Sequence, residues 1–183
     1  MVEYFGTASP TDALWAVYFL SGRKPRQVVP VARLRAWAME RTAVPEWLFE
    51  ECYQTVGDLA ETIAQLLPAN ESESDLSLTA WIEDRLLSLR GRDEQDKKTV
   101  VLAAWAELDA RQRFVWNKFL TGSFRVGVSQ SLVVRALASA AGIPVDIIAH
   151  RLMGEWQPKA EFHASLMSID ASAAALSRPY TFS

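Results

Sequence analysis

Cysteine is nearly absent: Cys52 is the only one in 183 residues, which excludes a disulfide framework and a Cys-based zinc site. Histidine is almost as scarce. His150 and His163 are the two present, and neither stands in a His-x-Glu or His-Glu-x-x-His pattern. No apolar run reaches the roughly 18 residues that read as a bilayer span. The N-terminus lacks a basic stretch followed by an apolar one, so no secretory leader is read there, and a soluble, cytoplasmic protein is expected. No Gly-x-x-x-x-Gly-Lys-Ser/Thr loop occurs. Glu50, Glu51 and Asp58 form no tight cluster and read as a solvated acidic face, and Cys52 reads as a small hydrophobe in an apolar helical stretch. There is thus no catalytic residue and no metal site to nominate, and binding is the function class that remains.

Charge is present but segregated. The formal net charge is −3, yet residues 13–39 hold five basic side chains (Arg23, Lys24, Arg26, Arg33, Arg35) and no acid. From Glu40 to Asp84 there are eleven acids and one base, Arg41. From Ala110 to Val145 five bases again stand without an acid. Local fields steer a partner more than the average does, so a positive and a negative face are expected. The alternative is that the blocks interleave in space and cancel.

Helix signals recur along the whole chain. Ser9-Pro10-Thr11-Asp12 supplies a cap, a proline at the first helical position and an acid in the first turn, and the apolar run 13–20 stops at Gly22. Helices are expected over 31–41, from Pro45 to about Tyr53 with closure at Gly57, and from Asp58 to Leu67. Further helices are expected over 78–89, 94–108, 110–120, 130–141 and 145–153, then near 160–167 and 171–176. Asp109 with Gln112 forms a capping-box pattern, and Gly142 is a good stop. Residues 69–75 are polar and lack apolar periodicity, so a mobile loop is expected. No segment alternates with period two. The fold class read from this pattern is all-α, about ten helices, in one domain or two helical lobes. The seven tryptophans fall at about one per helix, as core fillers do. Stacking on unpaired bases is the other use for them.

The most informative segment is Lys118-Phe-Leu-Thr-Gly122-Ser-Phe-Arg125-Val-Gly127-Val-Ser129. Two glycines five apart bracket an arginine where one helix ends and the next begins. Gly122 and Gly127 permit close backbone approach, Ser123 supplies a hydroxyl, and Arg125 a forked, always-charged donor suited to phosphate. Lys118 lies in the last turn of one helix. Ser129 caps the next, whose first amides favour an anion. A plain helix–turn–helix corner fits the same residues. Two weaker joints accompany it: Gly91 leading to Lys97-Lys98, a polar loop entering a helix, and Gly57-Asp58, a helix break and cap.

Together and in this order, these joints resemble the N-terminal DNA-binding domain of ATP-dependent DNA ligases. The matching pieces are Val56-Gly-Asp-Leu-Ala-Glu61, Gly91 with Lys97-Lys98, and Lys118 to Val128 followed by Leu132-Val-Val-Arg-Ala-Leu137. Asp12-Ala-Leu-Trp-Ala-Val-Tyr-Phe-Leu-Ser-Gly-Arg23 is similar to the bacterial branch. The resemblance implies a two-lobed helical body lying across the minor groove at a nick. It implies DNA-backbone contacts from Gly122, Ser123, Arg125 and Gly127, with Lys97, Lys98 and Lys118 assisting; Ser129, Gly57 and Asp58 are counted with them as candidate DNA-binding residues. Many relatives carry a basic residue at the position of Ser123, so one ionic contact is missing here.

A ligase of this type attacks ATP with the lysine of a Lys-x-Asp-Gly motif, and no such tetrapeptide occurs in the chain. The resemblance therefore implies a helical DNA-binding domain over residues 1–176. Residues 177–183 then begin a linker to a nucleotidyltransferase domain, with an OB-fold domain beyond it. ATP and Mg²⁺ belong to that parent enzyme; this chain is expected to need no cofactor and to be inactive alone. Its expected function is sequence-independent binding of nicked duplex DNA in repair, replication or recombination, in a bacterial nucleoid. The alternative is a helical protein-interaction module whose acidic 40–84 face docks a basic partner.

Overall fold

A computed structural model describes residues 1–71, 73–122 and 127–168. Among them there are eleven α-helices and no strand, so the chain is all-α. Two compact units divide it: Met1–Arg23 with Arg125–Ser183, and Lys24–Phe124. The helix expected near 171–176 lies outside the described residues.

The unit formed by the chain's two outer segments contains α1 (Val2–Thr7), α2 (Pro10–Leu20), α9 (Gln130–Ala141), α10 (Val145–Leu152) and α11 (Ala160–Met167). Its core gathers Phe5, Leu14, Val17, Val133, Leu137 and Ile148, so α9 packs on α1, α2 and α10. Ser9 caps α2 by accepting from the Asp12 amide at 3.2 Å. Trp156 stacks on Phe162 with centroids 5.0 Å apart and carries the Arg23 guanidinium 4.9 Å above its ring. Helix α1 has no capping signal in the local sequence. It has six residues and no side-chain cap, and it survives by burying Phe5, which is tertiary rather than local.

The inner unit holds α3 (Val31–Thr42), α4 (Glu46–Val56), α5 (Leu59–Leu66), α6 (Leu78–Ala80), α7 (Glu94–Glu107) and α8 (Ala110–Thr121). After α6 the backbone widens into a π-helical stretch over Trp81–Leu86 and tightens into a 3-10 turn over Leu87–Leu89. One regular helix over 78–89 was expected. Trp81, Ile82, Leu86 and Leu89 are buried along this irregular stretch. Buried Trp37, Phe49, Ile63, Trp105, Trp116 and Leu120 fill the rest of the core. Six of the seven tryptophans are buried; Trp47, 68% exposed at the start of α4, is the exception.

The segment before α6, expected to be mobile, is anchored. Asn70 Nδ2 donates to the Ala106 carbonyl at 2.8 Å. The Ser74 amide and carbonyl pair with the two ends of the Gln112 side chain at 2.9 and 3.0 Å. Among the described residues no helix is long and apolar enough to cross a membrane.

Candidate nucleic-acid interface

In the inner unit the Gly57-Asp58 joint is built by two complementary caps. Gly57 ends α4 in the left-handed region, φ 76°, where its amide donates to the Tyr53 carbonyl at 2.8 Å; a side chain here would be strained. Asp58 begins α5 and accepts from the Glu61 amide at 3.0 Å. Its other carboxylate oxygen accepts from Lys118 Nζ on α8. Two residues expected to assist DNA contact are thus brought together, onto each other. Burial works to raise the Asp58 pKa. The Lys118 ammonium and the cap amides outweigh it and hold the carboxyl below the usual range.

This contact belongs to a row of polar side chains that seat α8 on α5. Asn117, fully buried, accepts from Trp105 Nε1 at 2.8 Å and donates to the Ala60 carbonyl at 3.2 Å. Arg113 donates to the Pro68 carbonyl at 2.6 Å. Lys118 is only 6% exposed and its ammonium also lies over the Phe114 ring, 5.1 Å from the centroid. A buried polar group needs a partner inside the fold, and each of these three has one.

Lys98 is occupied as well, donating to both Glu40 carboxylate oxygens at 2.7 Å. Lys97, half-buried one residue earlier, makes no ion pair among the described residues. The same α3–α7 seam carries Arg33–Glu94 at 3.0 Å, and Arg35 pairs with Glu50 at 2.6 Å. Acids from the 40–84 block therefore neutralise several bases of its neighbours. The charge blocks interleave within this unit, and the separation along the chain overstates the separation in space.

At the end of α8, Gly122 adopts φ 65° and its amide donates to the Lys118 carbonyl at 2.9 Å. A Cβ there would stand 3.5 Å from Lys24 Cδ. Lys24 is exposed and unpaired among the described residues, so it adds a free ammonium stem beside Gly122. The sequence reading counted Lys24 in a basic block but not at this joint. Ser123 and Arg125 lie outside the described residues.

In the outer unit, Gly127 is exposed and Ser129 caps α9, accepting from the Leu132 amide at 3.4 Å and sharing a 2.9 Å contact with the Ser131 hydroxyl. Ser129, Gln130 and Ser131 are all exposed. Every other described helix of eight or more residues, α3 excepted, carries a carboxylate at its cap or in its first turn; α9 has none. Nothing within α9 itself therefore offsets the macrodipole at this hydroxyl-capped, solvent-facing start. Arg135, also exposed and without an ion pair among the described residues, lies further along α9.

Among the described residues the chain is all-helical, and these polar side chains sit at its helix joints. A family model described as DNA ligase N terminus matches residues 1–138, and the chain belongs to that family, the N-terminal domains of ATP-dependent DNA ligases. The matched stretch spans both the Asp58–Lys118 corner and the start of α9. No match to the chain was found among curated proteins.

Proposed function

We propose that this chain binds nicked duplex DNA without regard to sequence, through phosphates and the minor groove. In this reading it serves as the N-terminal portion of a bacterial-type ligase acting in the nucleoid in repair, replication or recombination. The observation that carries the reading, beside the family match, is the start of α9. It is an exposed, acid-free, hydroxyl-capped helix N-terminus directly after a glycine-bracketed arginine, and amides of this kind position phosphates without reading bases. The catalytic chemistry, with its ATP and Mg²⁺, belongs to the parent's other domains, a nucleotidyltransferase and an OB-fold. The chain itself is inactive and raises the local concentration of the nick at those domains.

The test is the salt dependence of binding to a nicked duplex, read by fluorescence anisotropy. Each phosphate contact contributes roughly 0.9 to the log–log slope. Arg125→Ala is expected to weaken binding equally on unrelated sequences and to flatten the slope by about one unit. An unchanged slope removes Arg125 from the contact set. One feature favours the protein-docking alternative: Trp47 and Leu48 stand exposed beside exposed Glu46 and Glu51 on α4. Under that alternative the chain shows no affinity for the duplex at low salt.

A further inference from the structure

A second cationic feature uses none of the residues discussed as DNA contacts. In the inner unit, Arg41, Pro68, Asn70, Trp105 and Arg113 help line a cavity of about 220 Å³. Two guanidiniums line it and no carboxylate does. Arg113 is 4% exposed. It spends one donor on the Pro68 carbonyl, while its Nε is buried without a hydrogen-bond partner. Neither arginine belongs to an ion pair among the described residues. Asn70, across the cavity, already gives its amide to the Ala106 and Leu108 carbonyls.

Two like charges facing one cavity, one of them buried, is a costly arrangement unless something negative shares it. Burial lowers the affinity of Arg113 for its proton, and the nearby Arg41 charge lowers it further, against a smaller opposing pull from Asp109. Asp109 does not line the cavity; its carboxylate accepts from the Gln112 amide as the cap of α8. Glu71 and Glu73, the acids nearest in sequence to the 67–70 stretch, are exposed and form no ion pair among the described residues. The space is smaller than the roughly 300–1,000 Å³ of a site for a whole organic ligand, but a tetrahedral oxyanion fits and matches the fork geometry of guanidinium donors.

We propose that the cavity lined by Arg41 and Arg113 is a binding site for a single phosphate-type oxyanion, whether a free ion or one phosphate of a nucleic-acid backbone. It goes beyond the DNA reading, and only the backbone-phosphate source rests on that reading. The site makes the inner unit responsive to phosphate, because a ligand held by the folded state alone stabilises it by mass action.

The test compares thermal melting of the 183-residue chain at pH 7 in sodium chloride and in sodium phosphate of equal ionic strength. Phosphorus-31 linewidths of inorganic phosphate titrated with the protein give a direct reading of binding. Phosphate is expected to raise the melting temperature by a few degrees over chloride and to broaden the phosphorus line. Arg41→Ala, an exposed position in the last turn of α3, is expected to melt in chloride at or above the wild-type temperature, since it removes a like charge, and to lose both phosphate effects. The site is overturned if wild type gains nothing from phosphate, or if Arg41→Ala gains as much. A nicked duplex then separates the sources: release of the bound phosphate assigns the site to a backbone phosphate, and retention assigns it to a free ion.

Discussion

The corner between α5 and α8 and the start of α9 both carry residues that the sequence marks as DNA contacts, yet they spend them differently. At the first, Lys118 is buried against Asp58, Asn117 joins Trp105 to the backbone of α5, and Arg113 holds the Pro68 carbonyl. Lys118 and Asn117 are consumed in holding two helices together, while Arg113 gives one donor to that task. At the second, Ser129, Gln130 and Ser131 face solvent, and α9 carries no carboxylate in its own cap or first turn. The difference teaches that a basic side chain near a glycine joint is not yet a phosphate contact. What decides is whether folding has already supplied its counter-charge.

That contrast breaks or sharpens under substitution, and the largest effect is expected at the first corner. Lys118→Met should cost about 2–3 kcal/mol in urea unfolding at pH 7. This is less than the roughly 3–5 kcal/mol for deeply buried pairs, because Asp58 keeps the Glu61 amide. A variant that stays stable while losing a unit of salt slope on nicked duplex would return Lys118 to the DNA surface.

The same pair titrates in acid. The folded pKa of Asp58 is lowered, so its stabilisation is present in full above the unfolded carboxylate value of about 3.9. It is lost as pH falls from there through the lowered folded value. Unfolding curves of wild type and Lys118→Met should therefore converge as the pH falls below about 4. A constant offset would mean that the pair's charge contributes nothing.

At the start of α9 the expectation reverses: binding moves and stability does not. Aspartate caps a helix as well as serine does, so Ser129→Asp should leave the melting temperature within a degree or two. A fixed carboxylate there would repel a phosphate and weaken duplex binding by roughly tenfold, about 1.4 kcal/mol. Equal affinity would take this helix start out of the interface.

The smallest effect is expected at Lys98, the intermediate case, whose ion pair leaves Glu40 largely exposed. Glu40→Gln should change stability by less than about 1 kcal/mol. It should steepen the salt slope by up to roughly 0.9 as the freed ammonium reaches a phosphate. No steepening would mark Lys98 as a strut between α3 and α7.

Local chemistry made most of the fold legible. Ser9, Asp58, Asp109 and Ser129 each cap the helix that the sequence predicted to begin there, and Gly57, Gly122 and Gly142 each close one. Such signals act within a turn or two, and so they can be read in order along the chain. What was illegible acts at a distance. Lys118 meets Asp58 across 60 residues, Lys98 meets Glu40 across 58 and Arg113 meets Pro68 across 45. The π-helical winding over Trp81–Leu86 likewise follows no local residue signal that the sequence offers.

The division of the chain has a consequence for its synthesis. One unit is cut from a single stretch, Lys24–Phe124, while the other joins Met1–Arg23 to residues beyond Phe124. Emerging from a ribosome at roughly 5–20 residues per second, α1 and α2 would wait some 5–20 s for α9, the helix that covers Phe5, Leu14 and Val17. The inner stretch can meanwhile close on itself. Helices α1 and α2 thus settle after the stretch that follows them, and their apolar side chains stay uncovered in the nascent chain until α9 has emerged.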